Sequence, residues 1–388
     1  MAAYLFMIIQ RAQKVRTLSE SSYAWSGLRK FQNIDLVTKR LIELHDIPKR
    51  FHRDVRKQAQ QIRYCLTQAR EYFVAAGAVT LATRPNLLYY GTMSLALAEI
   101  LYKQSGNSSL DRAREDHRHH GLSIGVGSIK QGCDLERAAS LIRARPHGVG
   151  GIRRGTFELW HRSCREHPLA GKLTRFLPDG GTNVAYELLF GAIDAPYPSL
   201  PEVGITFADC LSCTPLLMEF VEQHGLQSRL TRGKSEGEVW PGPEWKANHD
   251  VIFHPSDLFP AFKEKIRINA NSVDRVHVRE AGYGAAIRLM ADWVNGFPEL
   301  PLSPAATINA DEWRMWTNDP ALNEFGFLYV GLYLAGNYAR YFPDLWLFDV
   351  ETSAPLALAV EEFCNVCEWR APWLTLCELD QVLYAVET

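Results

Sequence analysis

The sequence lacks a complete catalytic signature. It contains no GxSxG elbow, no HExxH, no Ser-x-x-Lys in a supporting context and no protein-kinase set. Its glycine-rich pieces, Gly125-Val-Gly127 and His147-Gly-Val-Gly-Gly151, match neither a P-loop nor a GxGxxG placed between strand and helix. They read as turns, as does Asp179-Gly-Gly-Thr-Asn183. Charge of one sign is also missing. Forty-two Lys and Arg stand against 44 Asp and Glu, a net charge of −2, which excludes attraction of the whole protein to nucleic acid or acidic membranes. Only local basic faces remain, at Arg53–Arg56, Arg112–Arg118 and Arg143–Arg154.

Long apolar runs are absent too. The short run before Gln10 has no cationic stretch ahead of it and no small-residue cleavage site after it, so it reads as neither signal peptide nor membrane span. Phe325–Ala339 is interrupted by Asn337 and followed by Arg340, the pattern of a buried helix. The eight cysteines show no disulfide-scaffold rhythm. Two CxxC pairs, Cys210–Cys213 and Cys364–Cys367, lie far apart in sequence, and the second sits inside an apparently continuous helix. A zinc ribbon needs two knuckles within a short span, so both pairs read as small core residues. The expectation is a cytoplasmic protein with no membrane association, no metal and no cofactor.

What is present is ordinary globular composition, 47% hydrophobic and 22% charged over 388 residues, enough for two or three domains or one large elaborated one. Ile34–Ala76 looks helical, with Val55, Ala59, Ile62, Leu66, Ala69 and Phe73 at spacings of three and four. Arg84-Pro85 opens a further helix whose face Leu88, Gly91, Leu95, Ala98 and Leu101 carries small residues. A short helix is expected over Asp134–Arg145, and another from Gly155 through Trp160 and Cys164.

The middle alternates apolar and polar residues at Glu202–Phe207, Asp250–Phe253, Lys265–Asn269 and Arg275–Arg279, pointing to a small antiparallel β element. Pro298–Pro320 is linker-like. Helices return at Asn323–Phe342, Ala354–Trp369 and Trp373–Val386. No repeat of fixed period is visible. The expected fold is mainly α: a bundle of N- and C-terminal helices with a mixed, antiparallel β insertion. The divisions are 1–195, 196–300 and 301–388, the last packing on the first.

The one dense set of cationic and titratable groups follows the Arg84 helix, in the stretch Ser108–Gly121. Arg112 with His117, and Arg114 with His119, each form Arg-x4-His. A neutral imidazole can take the proton of a ribose 2′-hydroxyl or return one to the leaving oxygen, and a fixed guanidinium can stabilise a phosphorane. The plainer reading is a solvated loop whose charges pair locally. The motif resembles that of the HEPN ribonucleases, Arg-x4–6-His in a helical bundle completed by dimerisation. It departs from theirs in having Ala113 and Glu115 where a polar Asn, Asp or His is usual.

A second resemblance is carried by Ala69-Arg-Glu-Tyr-Phe73, Arg84-Pro-Asn-Leu-Leu-Tyr-Tyr-Gly91, His120-Gly121 and Gly155-Thr-Phe157, with Tyr338-Ala-Arg-Tyr-Phe-Pro343 and Leu345-Trp346 near the other end. These resemble the YaaC-like family of bacterial proteins, over the helical parts and not the β-containing middle. The resemblance implies that the Tyr-Tyr helix, the His-Gly turn and the Arg-Tyr helix end form one assembly. On that view His119 or His120 ties the turn to the C-terminal helices. No activity transfers with it.

Two functions are therefore expected. One is a HEPN-like, metal-independent RNA-cleaving or RNA-binding effector of a bacterial defence or stress module, acting as a homodimer. In it His119 serves as general acid or base and Arg114 as phosphorane stabiliser, with Arg112 and His117 as the alternate pair. The other is a non-catalytic scaffold holding a protein partner.

Overall fold

A computed structural model describes residues 11–103, 110, 119–129, 133–149, 152–164, 166–176, 182–183, 188–194, 197–240, 246–253, 276–281, 284–292, 305–307, 313–316 and 320–387. The chain is mainly α-helical, with helices at both ends and β structure between them. Strand β1 (Arg11–Val15) leads into α1 (Glu20–Leu28), α2 (Ile34–Leu44), α3 (His52–Ala76) and α4 (Arg84–Lys103). The side chains of Ser19 and Asn33 cap α1 and α2, each accepting a first-turn N–H. Every residue of the apolar face expected for α3 is buried, from Val55 to Phe73.

Helix α4 is the centre of the bundle. It packs on α3 and on two helices from the far end of the chain, α9 (Glu324–Tyr341) and α11 (Pro355–Asp380), with α10 (Pro343–Glu351) between those two in sequence. Gly91 supplies the close approach of α3. A Cβ there would sit 2.6 Å from the Phe73 ring. The same device recurs at Gly331, where a Cβ would meet the Phe363 ring at 2.2 Å. A buried bidentate ion pair, Arg370 Nε and Nη2 to Glu324 Oε1 and Oε2 at 2.7 and 2.8 Å, joins α11 to the start of α9.

Between these helical parts lie β2 (Leu122–Val126), α5 (Leu135–Ser140), β3 (Ile142–Pro146), the hairpin β4 (Gly148–Val149) and β5 (Ile152–Arg153), and α6 (Thr156–Arg162). The expected helix over Asp134–Arg145 is therefore only half helix. Asp134 caps α5, but Ile142 and Ala144 point inward on a strand that pairs with β2 and with β9 (Ile205–Thr206). Partners distant in sequence decide that change of period. Glu202–Phe207 likewise contributes only those two strand residues before α7 (Phe207–Cys213) and α8 (Met218–Gln223) begin.

The β element is larger than expected. A nine-stranded sheet runs β12 (Val276–Ala281), β13 (Gly284–Asp292), β11 (Lys246–Phe253), β10 (Leu230–Trp240), β15 (Trp313–Trp316), β14 (Ala305–Thr307). Strand β6 (Glu166–Phe176) joins it beside β10 and also pairs with β7 (Thr182–Asn183) and β8 (Leu188–Asp194). The β10–β6 pairing is parallel, which makes the sheet mixed. Pro298–Pro320, read as a linker, supplies β14 and β15. Lys265–Asn269 lies outside the described residues.

Two expected C-terminal helices are one. Helix α11 runs through Pro372 to Asp380, and Val382–Val386 is instead β16, parallel to β1. Burial on both sides of the break holds the helix together across the missing N–H: Arg370, Ala371, Pro372, Trp373 and Thr375 are all buried.

Candidate functional site

The best-constructed polar site is the turn His119-His120-Gly121 where it meets the start of α6. Both Gly121 (φ +86°) and Gly155 (φ +118°) occupy left-handed backbone. A Cβ on Gly155 would lie 2.3 Å from the Gly121 nitrogen, so the two glycines touch backbone to backbone. That contact lets the turn cap α6. Thr156 N–H donates to the His119 carbonyl at 3.2 Å and Phe157 N–H to the His120 carbonyl at 3.1 Å, satisfying donors that a helix start otherwise leaves open. The same turn holds a third histidine. His147 N–H donates to the Gly121 carbonyl at 3.0 Å, and Arg154 N–H donates to the His147 carbonyl at 3.2 Å.

The side chains then divide into two layers. His120 turns inward, its Nδ1 2.9 Å from the Tyr89 hydroxyl of α4 and its ring beside Tyr90 and Tyr333. Tyr333, on α9, donates from its hydroxyl to the Leu122 carbonyl at 2.9 Å. Burial, then the Arg340 guanidinium, then His119 hold the His120 imidazole below its ordinary value, which favours the neutral ring. Burial pushes the Tyr89 phenol well above its ordinary value, so it remains a donor.

The outer layer is open to solvent. His119 is exposed and His147 half-buried, with ring centroids 5.0 Å apart. At the end of α9, Arg340 Nη1 donates to the Tyr90 hydroxyl at 3.1 Å. Arg340 is exposed, its side chain leaving the helix toward α4 to meet that phenol.

Of the four residues singled out in the sequence, the structure places His119 in this site. Arg112, Arg114 and His117 lie outside the described residues. Sequence reasoning missed His147, whereas Tyr89 and Tyr90 belong to the Tyr-Tyr helix that the YaaC-like resemblance joined to the His-Gly turn and the Arg-Tyr helix end. The signal for His147 was its place beside a glycine-rich turn; nothing local pairs it with His119.

With this geometry in place, one comparison bears on it. Residues 29–139 match the family model described as YaaC-like Protein. The YaaC-like stretch thus takes in α2, α3 and α4, with Tyr89, Tyr90, His119 and His120, and stops before His147, α6 and α9. No curated protein and no solved structure matches the chain.

A second polar cluster lies in the core, and the sequence reading did not find it. Glu99 of α4 is fully buried. Its Oε2 accepts from Trp160 Nε1 at 2.7 Å and its Oε1 from Thr375 Oγ1 at 2.9 Å. One turn on, Lys103 Nζ stands 2.9 Å from Glu378 Oε2. Burial outweighs these donors and the Lys103 charge, and Glu99 is pushed up to about 7. A lone acid inside the apolar run Leu95–Leu101 was the available signal. This cluster is closed to solvent and joins α4, α6 and α11.

The cysteines singled out in the sequence are core residues. Cys210, Cys213, Cys364 and Cys367 are buried free thiols, and burial pushes each thiol up, which keeps it protonated and inert. Among the described residues no group of three or more His, Cys, Asp or Glu is placed to hold a metal ion, and no helix is long and apolar enough to cross a membrane.

Proposed function

We propose that this protein is a cytoplasmic, metal-independent RNA-cleaving effector whose reaction centre is the His119–His147 pair. The observation that carries the reading is that pair itself: an exposed and a half-buried imidazole, 5.0 Å apart, with the His119 carbonyl bonded to the helix start at Thr156 and the His147 main chain bonded to Gly121 and Arg154. In this reading one imidazole takes the proton from a ribose 2′-hydroxyl as that oxygen attacks phosphorus. The other imidazole gives a proton to the 5′-oxygen as the phosphorus–5′-oxygen bond breaks. The products are a 2′,3′-cyclic phosphate and a 5′-hydroxyl. Arg114, close by in sequence, stabilises the phosphorane, and Arg112 with His117 forms the alternate pair.

Electrostatics near the pair support an RNA substrate despite the near-neutral chain. Arg143 and Arg145 alternate with buried Ile142 and Ala144, so they face outward along β3 toward His147. They offer a cationic strip to a phosphate backbone.

The test is cleavage of a mixed-sequence RNA by the full chain with chelator present, comparing wild type with His119→Ala, His147→Ala and Arg114→Ala. Chelator-resistant cuts ending in cyclic phosphate, lost in all three variants, are expected. A homodimer belongs to this reading and is checked by sedimentation equilibrium. An inert wild type, or variants that cut equally well, would overturn it.

One observation favours the scaffold reading instead. Leu347 and Phe348 of α10 and Leu358 of α11 are exposed apolar side chains on consecutive helices. Stable co-purification of a partner that is lost on Phe348→Ser, with no RNA cleavage, would favour it.

A further inference from the structure

The last turn of α9 carries an arrangement that the cleavage step does not use. Tyr341 follows Arg340; the residue is 58% exposed, and the Arg340 guanidinium carbon lies 5.2 Å from its ring centroid. Arg340 in turn is bonded to the Tyr90 hydroxyl, and Tyr90 stacks on Tyr72 of α3 with centroids 5.8 Å apart and an interplanar angle of 29°. Tyr90 also lies 6.3 Å from the His120 ring. An aromatic, a guanidinium and a second aromatic thus run along the rim from solvent to the histidine turn. Tyr72 stacks on Tyr90, while Tyr341, with the Arg340 guanidinium over its ring, is largely exposed.

An isolated exposed tyrosine needs no explanation. Here the hydrogen bond to Tyr90 fixes the guanidinium between the rings, a geometry that suits two features of an unpaired nucleotide together. A flat base stacks on an open aromatic face whatever its identity, and the neighbouring phosphate accepts from a guanidinium. A base inside a duplex offers no free face.

We propose that Tyr341, Arg340 and Tyr90 form a base-stacking subsite that selects single-stranded RNA for the histidine pair. The inference rests on the RNA reading above and names its substrate class. Tyr341 takes one unpaired base, Arg340 the adjoining phosphate, and Tyr90 positions Arg340.

The experiment is fluorescence anisotropy of the full chain with a labelled, uncleavable 2′-O-methyl single strand, its matched duplex and a proline-rich peptide. Wild type is compared with Tyr341→Ala, Tyr341→Phe and Arg340→Gln, each checked for wild-type thermal melting. Single-strand binding is expected to weaken about 10-fold in Tyr341→Ala, the loss of one stacked base. Tyr341→Phe retains it, and the duplex binds less well than the single strand.

Unchanged affinity in Tyr341→Ala, equal binding of the duplex, or Tyr341-dependent binding of the peptide alone would overturn the proposal. Cleavage is scored separately. A protein that cuts RNA but binds it independently of Tyr341 keeps the ribonuclease reading and loses this one. Tyr341-dependent binding without cleavage does the reverse.

Discussion

The Tyr89 hydroxyl and the His120 Nδ1 meet at 2.9 Å, joining the central helix to the histidine turn through a polar contact. Both rings pack against Tyr333, so α4, the turn and α9 share one aromatic cluster.

This contact is open to titration. His120 is expected to titrate below the ordinary imidazole range because burial and then Arg340 disfavour its cation. Arg340→Gln should raise its midpoint, read from the pH dependence of its ring proton resonances. The folded state resists protonation, so its share of stability is present above the unfolded midpoint and is lost as pH falls below it. Tyr89→Phe should cost about 1 kcal/mol in urea denaturation, the worth of a neutral hydrogen bond.

Glu99 has the opposite sign. Its folded value, about 7, lies above the ordinary 4.5, so the fold prefers it protonated. Its contribution is fully present below pH 4.5 and is lost as pH rises through about 7, a change of up to about 3 kcal/mol. Glu99→Gln keeps an acceptor for Trp160 and cannot ionise. Denaturation across pH 4 to 8 should therefore show a flatter profile in this variant, and greater stability at the alkaline end.

The Arg370–Glu324 pair should behave as a buried charge pair. Glu324→Gln strands the guanidinium and is expected to cost about 3–5 kcal/mol. The double variant Glu324→Leu with Arg370→Met should recover much of that loss, since neither charge is then buried alone. A double-mutant cycle in urea reads the coupling.

Gly155→Ala tests the backbone contact beneath the site. Its Cβ would collide with Gly121 at 2.3 Å, in a conformation alanine avoids. A loss of at least about 2 kcal/mol is expected, with altered near-ultraviolet dichroism from the aromatic cluster.

What was legible in the sequence was local. The face of α3, the proline that opens α4 and the helix expected from Asn323 to Phe342 each depend on residues within one or two turns, and each stands as read. What was not legible depends on distant partners. Ile142–Pro146 is a strand because β2 and β9 flank it, and α11 survives Pro372 because its neighbours bury it. His147 joins His119 only because a glycine contact folds one turn over another. Arg340 turned outward because its partner, Tyr90, stands on a helix from the other end of the chain.

The parallel pairing of β1 with β16 has a kinetic consequence. Arg11 is opposite Val382, and Val15 opposite Val386, so nearly the whole sequence lies between the partners. During synthesis β1 is made before its partner, and the edge it offers to β16 stays unpaired until Val382–Val386 leave the ribosome. Closing so long a loop is slow, and an open strand edge invites pairing with other nascent chains. The helices made between them can assemble on α4 in the meantime, before the β1–β16 seam closes.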